Sequence, residues 1–243
     1  MHLALCPSQH QKTSNFTPDA RRFTGLWYLR PFAVLHSNKN LTIPIKQFRI
    51  YLKPQYLFFD TETTGLPRNW KAPVTDLNNW PRLVQLAYLF YDRNGNLISR
   101  GDYIIKPVGF TIPEDASRIH GISTEKAIEE GKALLVVLQE FQGLIDESEY
   151  LVAHNISFDE KIVRAEFLRN RMPDSLASKR KICTMQGTTN FCKIIGPYGY
   201  KWPKLSELHY KLFQEDFEEE HNAAVDIHAT AKCFWELKRL GKL

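Results

Sequence analysis

The sequence predicts an α/β protein in which helices flank a mixed five-stranded sheet, and two observations carry this prediction. Short apolar runs bounded by turn residues recur from residue 56 onward, and after the third run they alternate with longer segments of helical periodicity. Asn94 and Gly95 supply a hairpin turn between the second and third runs. The first three strands are therefore expected to be antiparallel neighbours.

Each element has its own signal in the chain. Apolar runs predict strands at residues 56–60, 83–91, 97–105, 150–153 and 181–185. Helical periodicity predicts helices at residues 113–120, 124–130, 132–145, 157–170, 203–213 and 223–240. No segment repeats, which excludes a solenoid or a propeller.

Composition and cysteine spacing exclude several classes of protein. The chain has 243 residues, 43% of them hydrophobic and 24% charged, which is typical of a globular protein and excludes a largely disordered or fibrous chain. No apolar run approaches the roughly 18 residues that a membrane-spanning helix needs, so no membrane association is predicted. The four cysteines lie far apart, which suggests neither a disulfide scaffold nor a zinc ribbon and favours a reducing cytoplasm.

The net charge of +5 is concentrated at the start of the chain. Residues 1–54 hold eight lysines and arginines against one aspartate and show no sustained pattern, which predicts a poorly ordered basic extension. A transit peptide and a mis-annotated translation start near Leu52 are the alternatives for this segment. Residues 55–243 are predicted to form one mildly acidic domain. Such a domain acts on a polyanion if metal ions occupy its acids.

Asp60 and Glu62 stand two residues apart at the end of the first predicted strand, so their carboxylates share one face. Two buried anions this close repel each other unless they share a divalent cation. Acid pairs of this spacing also arise by chance in a chain with 27 acids. The apolar run before the pair and Gly65 after it favour a site, because α/β proteins concentrate their sites at strand ends.

Three further candidates lie near helix starts. Asp226 is the only charged member of a stripe on the last predicted helix, and His221 precedes that helix as either a solvated histidine or a general base. Asp159 lies in the first turn of the helix after the fourth strand. Partnership with the helix dipole is the alternative interpretation of both aspartates. The other members of the stripe are Ala223, Thr230, Cys233 and Leu237.

Taken together, these segments resemble the three exonuclease motifs of the DEDDh, or DnaQ-like, family of 3′-to-5′ exonucleases, which has the RNase H-like fold. Asp60 and Glu62 match the first motif and Asp159 the second. His221 and Asp226 match the third motif, in the pattern H-x-x-x-x-D. The resemblance covers about residues 55–240, extends to bacterial proofreading exonucleases and to domains of the DNA polymerase III epsilon type, and shows no departure at a motif position.

The resemblance implies phosphodiester hydrolysis with two divalent metal ions, Mg²⁺ or Mn²⁺. It assigns Asp60 to both ions, Glu62 and Asp226 to the first ion, and Asp159 to the second. It gives His221 the role of general base. A pocket for the terminal nucleotide is implied as well. The residues assigned to that pocket are Thr61, Thr64, Ile122, Asn155 and Phe158.

Two segments are particular to this chain. Residues 193–204 interleave three lysines with three aromatic residues, a mixture that suits binding of a single nucleic-acid strand. The alternative is an ordinary surface loop in which Trp202 packs under the next helix. Residues 67–81, which contain Trp70 and Trp80, form a loop of unusual length that could border the cleft.

The predicted activity is removal of nucleotides from the 3′ end of single-stranded DNA with release of nucleoside 5′-monophosphates, in proofreading or repair. An exoribonuclease that trims RNA 3′ ends is one alternative, because the motifs bind metal and phosphate and leave the choice of sugar open. A noncatalytic nucleic-acid-binding module is the other. Single-stranded 3′ ends are the predicted partners, a DNA polymerase is a candidate partner, and the cytoplasm is the predicted location.

Overall fold

The structure, a computed structural model, describes residues 55–215 and 221–243. The predicted basic extension, residues 1–54, lies outside the described residues. The strands of the main sheet are β1 (Tyr56–Thr63), β2 (Leu83–Tyr91), β3 (Leu97–Ile104), β4 (Tyr150–Ala153) and β5 (Arg180–Cys183). A two-stranded ribbon adds β6 (Ile195–Gly196) and β7 (Gly199–Tyr200). The helices of the described residues are α1 (Glu114–His120), α2 (Thr124–Glu130), α3 (Leu134–Glu147), α4 (Ile156–Arg169), α5 (Thr184–Gly187), α6 (Thr189–Cys192), α7 (Leu205–Phe213) and α8 (Ala223–Arg239).

The main sheet has the strand order β3-β2-β1-β4-β5. Strand β2 runs antiparallel to both β1 and β3, and β4 runs parallel to both β1 and β5. A tight turn joins β2 to β3, and the long connection of residues 64–82 joins β1 to β2. Each parallel pair needs a helical crossover between its strands. This mixed five-stranded sheet flanked by helices confirms the predicted fold class.

Alternating residues of β1 face opposite layers of the fold. Leu57 and Phe59 pack into the large core cluster that includes residues of α3 and α4. Tyr56 and Phe58 pack into a second cluster with residues of α8 such as Phe234. Burying each large side chain contributes about 1.5–3 kcal/mol, so both layers hold β1 firmly in its register.

Most elements begin and end within two residues of their predicted bounds, and the larger differences are these. The first strand continues beyond Asp60 through Thr63, because its last residues still pair with β2. The fifth strand ends at Cys183, since the chain turns there into α5. Trp202 is 59% exposed, so the interpretation that it packs under the next helix is wrong.

Two global properties can be stated for the described part of the chain. Cys183, Cys192 and Cys233 are free thiols. Among the helices of these residues, none combines the length and the apolar character needed to cross a bilayer.

Candidate active site

The alternation of β1 decides which helix each of its polar residues meets. Asp60 and Glu62 continue the face of Tyr56 and Phe58, on which α8 packs. Helix α8 carries Asp226 in its first turn. Asp60, Glu62 and Asp226 therefore form a cluster in which each contributes one carboxylate oxygen, and these three oxygens lie within 4.8 Å of one another.

Thr61 lies between the two acids of β1 and points to the opposite layer. Its backbone N–H and its hydroxyl both donate to Asp159 Oδ1, at 3.1 and 2.8 Å. Asp159 is 3% exposed and stands in the first turn of α4, which Asn155 opens in a left-handed conformation with φ of 76°. One face of β1 thus carries two acids and meets the third on α8, and the opposite face fixes the fourth, Asp159.

Burial and mutual repulsion raise the pKa values of these carboxyl groups. For Asp60, burial is the larger cause of a pKa well above 3.8, and repulsion by the other three acids raises it further. Burial, followed by the charges of Asp226 and Asp159, raises the pKa of Glu62 from 4.5 to about 8. Burial raises the pKa of Asp159 to about 7, although the hydrogen bonds from Thr61 oppose this shift. Carboxylates arranged in this way favour either protons or a cation.

Gln85 is a positioning residue that the sequence analysis did not identify. It is 2% exposed on β2, directly opposite Glu62, and its Oε1 accepts from the Ala223 backbone N–H at 3.4 Å. Its Nε2 donates to Asp102 at 2.7 Å, which fixes the orientation of the amide. Gln85 therefore ties the first residue of α8 to the sheet. The only signal in the sequence was a polar residue within the apolar run of β2.

The structure places His221 immediately before Asn222, the N-cap of α8. Asn222 accepts hydrogen bonds from the backbone N–H groups of Ala224 and Val225, at 3.0 and 3.4 Å, and so begins the helix that holds Asp226. His221 itself is exposed and has a φ of 44°. It belongs to the segment of the third acid but not to the cluster of three acids. Its role as a general base stays a prediction.

The five residues predicted to bind the terminal nucleotide fall into two groups. Thr61, Asn155 and Phe158 surround the start of α4. Thr64 accepts a hydrogen bond through its hydroxyl from the backbone N–H of Arg82 at 2.9 Å. Ile122 is 2% exposed and packs in an apolar cluster with residues such as Val84 and Ala127. Their contacts with a nucleotide stay predictions.

Residues 67–81, called the cleft loop below, reach the start of α4. The ring of Trp70 lies 5.6 Å from that of Phe158, between centroids, and is half exposed. Arg169 fastens the loop to α4 by donating to the carbonyls of Leu77 and Trp80, each at 2.7 Å. The predicted position of this loop beside the cleft agrees with these contacts.

A comparison with known protein families identifies the chain. The RNase_T family model, described as exonuclease, matches residues 57–234. The chain belongs to the exonuclease family. This match confirms the resemblance predicted from the motifs, and all four acids of the site lie inside the matched range.

Individual relatives of this exonuclease are replication proteins by name. Proteins called DNA polymerase III PolC-type from Streptococcus pyogenes and Streptococcus agalactiae are 32% and 33% identical to it over 180 residues. The match covers 74% of this chain but 11% of each relative. The chain therefore spans about a tenth of the length of these relatives.

Solved structures show the same fold. Escherichia coli exonuclease I in complex with a dA16 oligonucleotide has a TM-score of 0.60 and 20% identity, over 76% of this chain and 41% of that protein. The zinc-bound form of the same enzyme with single-stranded DNA has a TM-score of 0.59 and 22% identity, over 77% and 41%. At this level of identity the likeness supports the fold.

Proposed function

We propose that this exonuclease removes nucleotides from the 3′ end of single-stranded DNA, in a reaction that depends on divalent metal ions and releases nucleoside 5′-monophosphates. The observation that carries the proposal is the gathering of Asp60, Glu62 and Asp226, with ligand oxygens within 4.8 Å of one another. The names of the relatives support it, since they describe a DNA polymerase and an exonuclease bound to single-stranded DNA.

The donor set fits a hard divalent cation. Carboxylate oxygens are the ligands that Mg²⁺ and Mn²⁺ prefer. Asp60, Glu62 and Asp226 would hold one ion, and Asp60 with Asp159 a second. When bound, such a pair of ions activates water and stabilises charge on the attacking and leaving oxygens. Burial is the larger cause of the raised pKa values of Asp60 and Glu62, and the repulsion between the acids, which adds to it, also favours binding of a cation.

The other residues of the chain have supporting roles in the proposal. Thr61 fixes the orientation of Asp159 through two hydrogen bonds. His221 takes the proton from the attacking water, and its exposed position lets it exchange that proton with solvent. The half-exposed ring of Trp70 beside Phe158 offers an apolar surface to the terminal base.

The proposal includes a protein partner and a cellular compartment for the exonuclease. A DNA polymerase is the proposed partner, supported by the name of the PolC-type relatives. The cytoplasm is the proposed compartment, as expected for an enzyme of replication or repair. The polymerase activity of the longer relatives forms no part of the proposal.

Hydrolysis of labelled oligonucleotides tests the proposal. We expect 5′-labelled single-stranded DNA to yield a ladder that shortens from the 3′ end with Mg²⁺ or Mn²⁺, and no ladder with EDTA. Asp60→Asn should abolish the ladder, whereas Asp76→Asn, which removes an exposed carboxylate outside the cluster, should not. A ladder on RNA alone would identify an exoribonuclease. Full activity of Asp60→Asn would show that the acid cluster is not the active site.

A further inference from the structure

The β6–β7 ribbon exposes aromatic side chains that a globular protein ordinarily buries. Tyr198 is fully exposed, Tyr200 is 50% exposed and Trp202 is 59% exposed. Together with the backbone of residues 196–202 they line a groove of about 430 Å³. Exposed rings that line one groove are a candidate binding surface.

The local geometry of the ribbon keeps these rings in solvent. Tyr200 pairs with Ile195 across the ribbon, and the backbone N–H of Lys201 donates to the Ile194 carbonyl at 2.9 Å, so the chain stays extended past β7. Alternate residues of an extended chain point to opposite sides. Lys201, which stands between Tyr200 and Trp202, forms an ion pair with Glu207 at 2.6 Å. Tyr200 and Trp202 consequently share the outer side.

The base of the ribbon is anchored at the end of the sheet that carries the active site. Pro203 is buried, and its carbonyl oxygen lies 3.1 Å from Nε2 of His154. The other ring nitrogen of His154 lies 3.0 Å from the hydroxyl of Thr184. His154 directly follows β4 and stands two residues before α4, the helix whose first turn holds Asp159. The exposed Trp202 therefore directly precedes a residue that contacts the segment between β4 and α4.

The charge of the ribbon matches a polyanion. Residues 193–204 contain three lysines and no acid. Glu207 forms an ion pair with Lys201 and also lies near Lys204, from whose backbone N–H it accepts at 2.7 Å. Lys193 and Lys204 are exposed. Exposed aromatic faces combined with cationic groups are the pattern by which proteins hold a single nucleic-acid strand.

We propose that the ribbon is a binding platform for the nucleotides that precede the 3′ end, with bases stacked on Tyr200 and Trp202 and phosphates paired with Lys193 and Lys204. The inference rests on the proposed exonuclease function, because it assigns to the ribbon the part of the strand that lies outside the acid site. In this arrangement a trinucleotide occupies the acid site alone and a 15-mer also occupies the ribbon, so the proposal predicts that affinity depends on strand length.

Equilibrium binding tests the platform without turnover. Fluorescence anisotropy of a labelled single-stranded 15-mer is measured in EDTA, with an unlabelled trinucleotide as competitor. Trp202→Ala should weaken binding of the 15-mer by roughly 5- to 150-fold and leave the trinucleotide unchanged. Tyr210→Ala, which removes an equally exposed ring from α7, is the matched control and should bind both like the unmutated protein.

Salt dependence tests the lysines separately. Each phosphate contact contributes about 0.7 to the slope of log K against log salt for a single strand, so the double variant Lys193→Gln, Lys204→Gln should reduce the slope by about 1.4. Lys106→Gln removes an exposed lysine after β3, at the opposite edge of the sheet, and should leave the slope unchanged.

A small substrate separates failure of the platform from failure of the proposed function. The p-nitrophenyl ester of thymidine 5′-monophosphate with Mn²⁺ probes the acid site without a strand. Equal rates for the unmutated protein and Trp202→Ala on this ester, with a raised KM of the variant on the 15-mer, would support the platform. Equal KM values on the 15-mer would overturn it. An unmutated protein inactive on both substrates would overturn the exonuclease proposal and the platform with it.

Discussion

Glu62→Gln should change how the stability of the metal-free protein depends on pH. The pKa of Glu62 is about 8 in the folded protein, against an ordinary value of 4.5 for a glutamate. Between these two values the folded state holds a proton that the unfolded state has released. The free energy of unfolding therefore falls as pH rises through this window, and the loss is complete only above the folded pKa. Glutamine has no proton to release, so the variant should lack this loss.

The size of the effect follows from the two pKa values. Between pH 5 and pH 8 the linkage relation gives about 3 kcal/mol of lost stability for Glu62 alone. For a domain of this size, each kcal/mol moves Tm by roughly 2–4 °C, so Tm should fall by about 10 °C. The buried Asp60 and Asp159, whose pKa values are also raised, should contribute in the same direction. Burial lowers the pKa of His120, which contributes in the opposite direction.

Thermal unfolding in EDTA at pH 5 and pH 8 measures this difference. Comparing Glu62→Gln with the unmutated protein at each pH removes the contributions that both share, including that of His120. Glu129→Gln, a substitution of an exposed glutamate on α2, should follow the unmutated protein. Mn²⁺ at a hundredfold excess over its Kd should restore about 2.7 kcal/mol at pH 8 to the unmutated protein and less to Glu62→Gln. Identical pH profiles of the two proteins would refute the argument that repulsion and burial raise this pKa.

Other substitutions test single contacts of the site. Thr61→Val removes the hydroxyl that donates to Asp159 and should lower kcat about tenfold in steady-state assays. Thr61→Ser keeps the hydroxyl and should retain activity. His221→Ala should lose roughly 10²- to 10⁴-fold in rate, and added imidazole should restore part of it if the side chain is the base. Arg169→Met removes the hydrogen bonds to the cleft loop and one of the cations that contact the buried Glu166. Urea unfolding should show that the free energy of unfolding falls by about 3 kcal/mol. Limited proteolysis should cleave the cleft loop faster in this variant.

The strands of the core were predictable because their signals are local. The continuous apolar runs of β1, β2 and β4 indicate strands that are buried on both faces. Helices of two turns or more show the helical spacing of their apolar residues. The ribbon was not predictable from such a pattern, since strands of two residues have no period. The exposure of Trp202 was not predictable either. Tryptophan is mostly buried in folded proteins, but this tendency of the residue type does not say whether the fold places another element over a particular tryptophan.

The acids of the site were predictable, whereas the contacts that position them were not. Asp60, Glu62 and Asp226 stand out because they are charges in apolar surroundings. The bond from Thr61 to Asp159 joins residues 98 positions apart, and the contact of Gln85 with α8 spans 138 positions. Polar residues of this kind have many potential partners in a sequence. Only the register of β1 and the layer on which each helix packs select one of them.

The dependence of the acid cluster on α8 has a consequence for synthesis of the protein. Asp60 and Glu62 are made before Asp226, and Asp226 reaches them only when α8 packs on β1 and β2. A growing chain that has not yet produced residues 223–239 lacks one of the three clustered ligands and the apolar face that closes this side of the sheet. Nuclease activity should therefore begin only after residues 223–239 have been made and α8 has packed on the sheet.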